Sequence, residues 1–270
     1  MTVSLNAIAL NEMAIPAQDV FVNTNANSPI VKALKGVEDI KWSDGSIGKG
    51  IRHCGCVFLI IDGNKRILID TGSGPFEKIK RTRDSYNHKY YFRELATIEE
   101  KLAGFSLTTK DIDIVINTHL HWDHIGGNEL FSNATFFMPS KEITYALNPP
   151  KWAPHYFIEM KNCVLNVLDR TIFVESRKKI TENVSVFCLG GHSPGCMCVI
   201  VKTDIGRIAL AGDIVCKYVN WENRWIGPNG NIWNFTEAIN AFDVLSLESD
   251  IVIPCHDWEL FSRYADGKIC

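Results

Sequence analysis

Three of the chain's eight histidines fall within six residues, in the run His119-Leu-His121-Trp-Asp123-His124. Imidazole nitrogens and carboxylate oxygens are the borderline donors that zinc and similar divalent ions prefer. The spacing matters as much as the types. His119 and His121 project to the same side of an extended segment and can bind one ion. Asp123 and His124 come after the chain has begun to turn, so they can face a second ion beside the first. Gly126 and Gly127 follow and let the backbone fold tightly against the site. A polar turn with chance histidines is the plain alternative, but random placement seldom clusters them this way. Three more donors stand just past apolar runs: His192 after 184–189, Asp213 after 207–211 and His256 after 251–253. One histidine after a strand is more often structural than a ligand. Four such strand ends together are how α/β scaffolds build sites. The chemistry this donor set suits is hydrolysis, because water on a divalent ion loses a proton near neutral pH and a second ion can polarise a carbonyl.

The elements that must carry these donors are legible in outline. Residues 57–61 read as a strand, followed by the turn Asp62-Gly63-Asn64 and a second strand over 66–69, a hairpin by composition. It ends in the turn formers of Asp70-Thr-Gly-Ser-Gly-Pro75. Tyr91, Leu95, Ile98 and Leu102 fall at helical spacing and predict a helix over 88–103. A strand over 112–117 feeds the histidine run. Ser140 is placed to cap a helix over 141–147, which Pro149-Pro150 stops. Strands recur at 184–189, 197–203, 207–211 and 251–253. Thr236 is expected to cap a helix with Ile239, Phe242 and Leu245 on one face. The stretch before Lys41 shows only short apolar patches and Asn-rich turns, as at Asn23–Asn27. Strands and helices interleave without repeat or linker, so one α/β domain over 1–270 is the economical reading.

Composition narrows the function classes. The net charge is −3, from 28 basic and 31 acidic side chains, with no basic stripe for nucleic acid. No apolar run reaches the ~18 residues of a membrane span, and no signal-peptide pattern opens the chain. The nine cysteines read as free thiols of a cytoplasmic protein. The pairs Cys54/Cys56 and Cys196/Cys198 lack a second half at zinc-finger spacing and read as packing. His53, His88 and His155 are not expected to be ligands. Residues 145–160 and 218–235 carry Tyr145, Trp152, Tyr156, Phe157, Tyr218, Trp221, Trp225 and Trp233, which could wall an apolar cleft for an acyl chain. Any one of them alone is more simply a core aromatic. Residues 76–100 could form a lid or a dimer contact, so a homodimer is left open.

Thr118-His-x-His-x-Asp-His124, Gly191-His-Ser-Pro-Gly195, Ala211-Gly-Asp213 and Pro254-x-His256, with the Asp70-Thr-Gly72 turn ahead of them, resemble the metallo-β-lactamase superfamily. The resemblance spans roughly residues 50 to 260, with the five motifs in order. It implies an αββα sandwich with the metals at one edge. It also implies that His119, His121 and His192 hold one metal, that Asp123, His124 and His256 hold the other, and that Asp213 bridges. Asp70 would steer a ligand histidine from behind, a role compatible with capping its own turn. Asp123 would accept a hydrogen bond from the bridging hydroxide and pass a proton to the leaving group. Zinc is the expected ion pair, with iron, manganese or cobalt as alternatives.

Within the superfamily the chain is most similar to the N-acyl-homoserine lactonases, through the run Asn117–Asn128, the His-Ser-Pro-Gly run and the length. That implies a quorum-quenching lactonase acting on acyl lactones or related esters. A thioesterase of the glyoxalase II kind and a nuclease are the alternatives. The first lacks a C-terminal basic cluster here, and the second a basic stripe. A non-catalytic binding protein would have shed ligands, and the di-iron redox branch usually has Glu at the place of His121. One departure stands out. The lactonases carry a tyrosine three residues after the bridging Asp, and this chain has Cys216 there. Tyr218 is the catalytic candidate to supply the phenol from a shifted backbone; otherwise the role is vacant. The match runs without a gap from Ala211 to Cys216, which favours the vacancy.

Overall fold

A computed structural model describes residues 3–16, 37–75, 77, 80, 89–150, 156, 160–226 and 232–270. Its apolar runs form strands buried on both faces. Val57 and Leu59 point into one core, and Phe58 and Ile60 into another. Met197, Val199 and Val201 likewise oppose Cys198 and Ile200. Burying one such Leu or Ile contributes about 1.5–3 kcal/mol, so continuous apolar strands demand cover on both sides.

The first sheet holds β1 (Val3–Pro16), β2 (Val37–Lys41), β3 (Ile47–Asp62), β4 (Lys65–Ile69), β5 (Tyr91–Glu94), β6 (Ile114–Ile116), β7 (Thr135–Pro139) and β8 (Thr171–Val174). Their order is β5-β1-β3-β4-β6-β7-β8, with β2 also paired to β3. The second holds β9 (Arg177–Lys179), β10 (Val184–Cys188), β11 (Met197–Thr203), β12 (Gly206–Leu210) and β13 (Ile251–Ile253), in the order β13-β12-β11-β10-β9. One core lies between the sheets. A second lies between the first sheet and α1 (Ile98–Ala103), α2 (Trp122–Ile125), α3 (Ile143–Leu147) and α4 (Lys161–Leu165). A third lies under α5 (Tyr218–Asn223) and α6 (Phe235–Glu248). Helix α7 (Glu259–Arg263) closes the end of the inter-sheet core through Leu260. The layers are therefore α/β/β/α.

Three expectations are corrected. The helix over 88–103 is a strand and a shorter helix: Tyr91–Glu94 pair antiparallel with Asn11–Ala14, and α1 starts only after Thr97. Thr97 closes a capping box with Glu100, which fixes that start. The quiet N-terminal stretch holds the 14-residue β1, paired with β3 along its length through a register shift between Ala9 and Asn11. The cap of α6 is Asn234, whose Oδ1 accepts from Glu237 N at 3.1 Å, and not Thr236. Its buried face is Ala238, Ala241, Phe242 and Leu245, while Ile239 is exposed. The turns at 23–27 lie outside the described residues. Among the described residues no helix is long and apolar enough to cross a membrane.

Candidate metal centre

Strand ends of both sheets deliver the donors to one place. β6 ends at Ile116 and leads into His119 and His121, and the one-turn α2 carries Asp123 and His124. From the second sheet, β10 precedes His192, β12 precedes Asp213 and β13 precedes His256. The six residues other than Asp123 are buried, and Asp123 keeps 15% of its side chain exposed.

The donors form two sets. His119 Nε2 lies 3.0 Å from His121 Nδ1, and His192 Nε2 lies 3.1 Å from that same atom. In the second set His256 Nε2 and His124 Nε2 lie 3.7 and 3.8 Å from Asp123 Oδ2. Asp213 touches both sets. Its Oδ1 is 3.1 Å from both His124 Nε2 and His256 Nε2, and its Oδ2 is 3.3 Å from His192 Nε2. Ligands bonded at 2.0–2.2 Å to a tetrahedral ion stand about 3.4 Å apart, so both sets fit one divalent ion each. His119, His121 and His192 offer their nitrogens within 4.8 Å of one another, as do the donors of Asp123, His124 and His256.

A polar shell orients the rings. Asp70 Oδ2 accepts from His124 Nδ1 at 2.8 Å, which leaves Nε2 facing Asp213. The Cys54 carbonyl does the same for His256 Nδ1 at 2.8 Å. Asp70 is held in turn by Thr118, whose N and Oγ1 donate at 2.7 and 2.8 Å, with its backbone in the left-handed region at φ 61°. The Asp-Thr-Gly turn docks on the paired glycines: Gly126 N donates to Gly72 O at 2.7 Å, and a Cβ on Gly126 would lie 2.1 Å from the Ser73 carbonyl. Partners of this kind typically account for 10–100-fold in metal affinity. We therefore expect Asp70→Asn, which keeps the shape and removes the charge behind His124, to weaken metal binding about 10–100-fold in a chelator competition. Unchanged affinity would contradict this role for Asp70.

Electrostatics divides the histidines. Burial drives His119 and His192 below the ordinary imidazole range, despite the nearby Asp213. Burial also opposes charge on His256, but Asp213 outweighs it and lifts the ring to about 10. His124 is lifted well above its usual range in the same way, against burial, by Asp70, Asp213 and Asp123. For Asp213 burial raises the pKa, and the surrounding histidines pull it well below the usual carboxylate range. His256 thus has a folded pKa above its unfolded value of about 6.5. Its stabilising contribution is complete below that pH and is lost as pH rises through about 10. The chelator-treated protein should show a falling Tm over this window by calorimetry, and a rising one would contradict the pairing of His256 with Asp213.

Other predicted residues fall in different places. Tyr145 and Tyr156 pack together, Trp233 stands edge-on to Tyr145, and Tyr156 sits edge-on to His121 at 4.6 Å between ring centroids. These three gather beside the first donor set. Trp221 stacks on Phe242 in the layer outside the second sheet. Tyr218 is buried between the sheets with the Arg263 guanidinium 3.7 Å over its ring, and among the described residues its hydroxyl meets no hydrogen-bond partner. His53 is buried 5.7 Å from the His256 ring and belongs to neither donor set. The nine cysteines are free thiols. Trp152, Phe157, His88 and His155 lie outside the described residues.

Sequence reasoning missed Glu142. Fully buried, it accepts from Leu120 N at 3.3 Å, from Gly195 N at 2.7 Å and from the Tyr156 hydroxyl. It ties the His-x-His loop to the His-Ser-Pro-Gly loop, and burial raises its pKa. Nothing around Ser140-Lys-Glu-Ile143 distinguishes it from a surface glutamate in a first helical turn.

A four-layer sandwich with two histidine sets joined by one aspartate, all at the strand ends of two sheets, has donors that could hold two metal ions side by side. Residues 55–256 match the metallo-beta-lactamase superfamily, and the chain belongs to it. An N-acyl homoserine lactonase of Bacillus thuringiensis is 30% identical over 115 residues, 42% of this chain and 43% of that protein. The match thus spans less than half of that relative's length. A solved probable metal-dependent hydrolase from Staphylococcus aureus superposes with a TM-score of 0.78 at 18% identity, covering 95% of this chain and 90% of that one. An N-acyl homoserine lactone hydrolase, solved with the product N-hexanoyl-L-homoserine at its catalytic metal center, gives 0.72 at 22% identity, covering 97% of each. At these identities the structural likeness concerns the fold.

Proposed function

We propose that the chain is a lactonase that opens N-acyl-homoserine lactones, using two zinc ions held by the sets His119/His121/His192 and Asp123/His124/His256 with Asp213 between them. The observation that carries this is Asp213, whose two oxygens face the two sets separately. The pair of cations, when bound, supplies an activated water and a polarised carbonyl. The chain's own residues do the rest. With Asp123 Oδ2 turned to the second set, the other oxygen of this partly exposed carboxylate takes a proton and returns it to the departing alkoxide. Asp70 and the Cys54 carbonyl keep His124 and His256 in one tautomer. Tyr145, Tyr156 and Trp233 offer an apolar wall beside the first set, suited to an acyl chain. The Tyr156 hydroxyl is engaged by Glu142, and Tyr218 packs under Arg263, so neither of these two takes the place of the lactonase phenol beside Cys216.

The test is a panel of acyl-homoserine lactones, a thioester and a phosphodiester with zinc-loaded protein. Lactones should give the highest kcat/KM. A higher value for the thioester or the phosphodiester would overturn the reading in favour of that activity. In the same assay Tyr218→Phe should change lactone kcat/KM by less than about twofold, since it removes a hydroxyl that bonds none of the described residues.

A further inference from the structure

Hydrolysis leaves two thiols beside the centre without a task. Cys255 directly precedes His256, and Cys216 follows Asp213 by three residues. Cys255 Sγ lies 3.0 Å from Asp213 Oδ1. The donor atoms of Asp213, Cys216 and Cys255 all lie within 4.8 Å of one another, and all three residues are buried. The backbone stretches that carry them are laced together: His256 N donates to Cys216 O at 3.0 Å, and Cys255 N to Val215 O at 3.3 Å. Buried cysteines commonly serve as small apolar fillers. Filling space does not require two sulfurs and a carboxylate to converge on one point. Two sulfurs bonded at about 2.3 Å to a tetrahedral ion stand about 3.8 Å apart, within the spacing found here.

We propose that Asp213, Cys216 and Cys255 form a third cation site, selective for thiophilic divalent ions of the cadmium and zinc kind. Sulfur donors favour these ions over manganese, magnesium or calcium. The ligand form is the thiolate, so the two thiol protons leave as the ion enters. Asp213 Oδ1 also faces His124 and His256, so an ion here draws on the carboxylate that the second histidine set needs. Excess thiophilic ion therefore inhibits the enzyme, and excess manganese does not. The site rests on the place of Asp213 in the proposed centre and is independent of which substrate that centre opens.

The experiment titrates the manganese-loaded protein with cadmium and follows sulfur-to-cadmium charge-transfer absorbance together with bound metal. Exchange of cadmium into the histidine sets gives no sulfur band, and cysteine variants separate this site from the other thiols. Cys216→Ser and Cys255→Ser should each weaken the band, and the double variant should lose it. The band should persist in Cys54→Ser/Cys56→Ser, which removes the neighbouring thiol that donates to the Cys255 carbonyl at 3.0 Å. Should the double variant fail to fold, the two single variants decide the point by the same weakening. A titration with no sulfur band, or a band undiminished in the variants, overturns the proposal. Failure of the lactone assay leaves the band unaffected, so the two readings fail separately.

Discussion

Asp213→Ala should reduce bound metal from about two ions per chain to one or fewer and lower hydrolysis by at least about a thousandfold. Metal-borne stabilisation of a developing charge is worth several kcal/mol, and about 4 kcal/mol corresponds to that factor. Asp213 bears the whole load because its oxygens lie 3.1 Å from His124 and His256 on one side and 3.3 Å from His192 on the other. Its removal also leaves His124 and His256 buried without the carboxylate that favours their charge. Asp213→Asn separates shape from charge: it should retain the fold and still lose most metal. Elemental analysis after loading, with kinetics on the same samples, checks both variants. An alanine variant with two ions and undiminished rate would remove Asp213 from the centre.

Gly126→Ala should be strongly destabilising. The backbone of Gly126 is ordinary helix at φ −60°, so the cost is contact and not conformation. An added Cβ would lie 2.1 Å from both the carbon and the oxygen of the Ser73 carbonyl and 2.5 Å from Gly74 N. These are main-chain atoms of the turn that begins at Asp70, so relief requires that turn to move. Overpacking of this kind costs about 3 kcal/mol or more, a fall of roughly 6–12 °C in Tm. Because Asp70 orients His124, metal affinity should fall with it. Gly104→Ala is the control: its Cβ meets Lys101 O at 3.2 Å, a contact that a slight adjustment absorbs. Equal melting temperatures for the two variants would show that the glycine contact does not hold the turn in place.

Most strands of the second sheet could be read from sequence because they are largely buried on both faces and so carry apolar runs, as 197–201 does, whereas Arg177–Lys179 carries none. β1 could not, because Asn11 and Glu12 interrupt its pattern where the register against β3 shifts. Asn11 is buried there and bonds Ser73, a partner 62 residues away. β5 reads as helix in the sequence because Tyr91 and Leu95 continue the helical spacing of Ile98 and Leu102, whereas the pairing with Asn11–Ala14 that makes it a strand is distant in the chain. The donor sets were legible because their local spacing is itself chemical information. Glu142 and Cys255 were not, since each acquires meaning only from groups 53 and 42 residues distant.

Each donor set takes two members from the loop after β6 and one from the second sheet, and Asp213 adds a further donor from that sheet to both. Neither half of the chain holds a complete site. A bound ion is therefore a reversible clasp between stretches that lie far apart in the chain, with His121 and His192 closing a loop of 71 residues. Closing such loops is entropically costly, and a clasp relieves that cost only after the sheets have met. The centre should accordingly form last in folding and open first on chelation. Stripping the metals should lower the midpoint of the unfolding transition without dividing it, since the two sheets share one core.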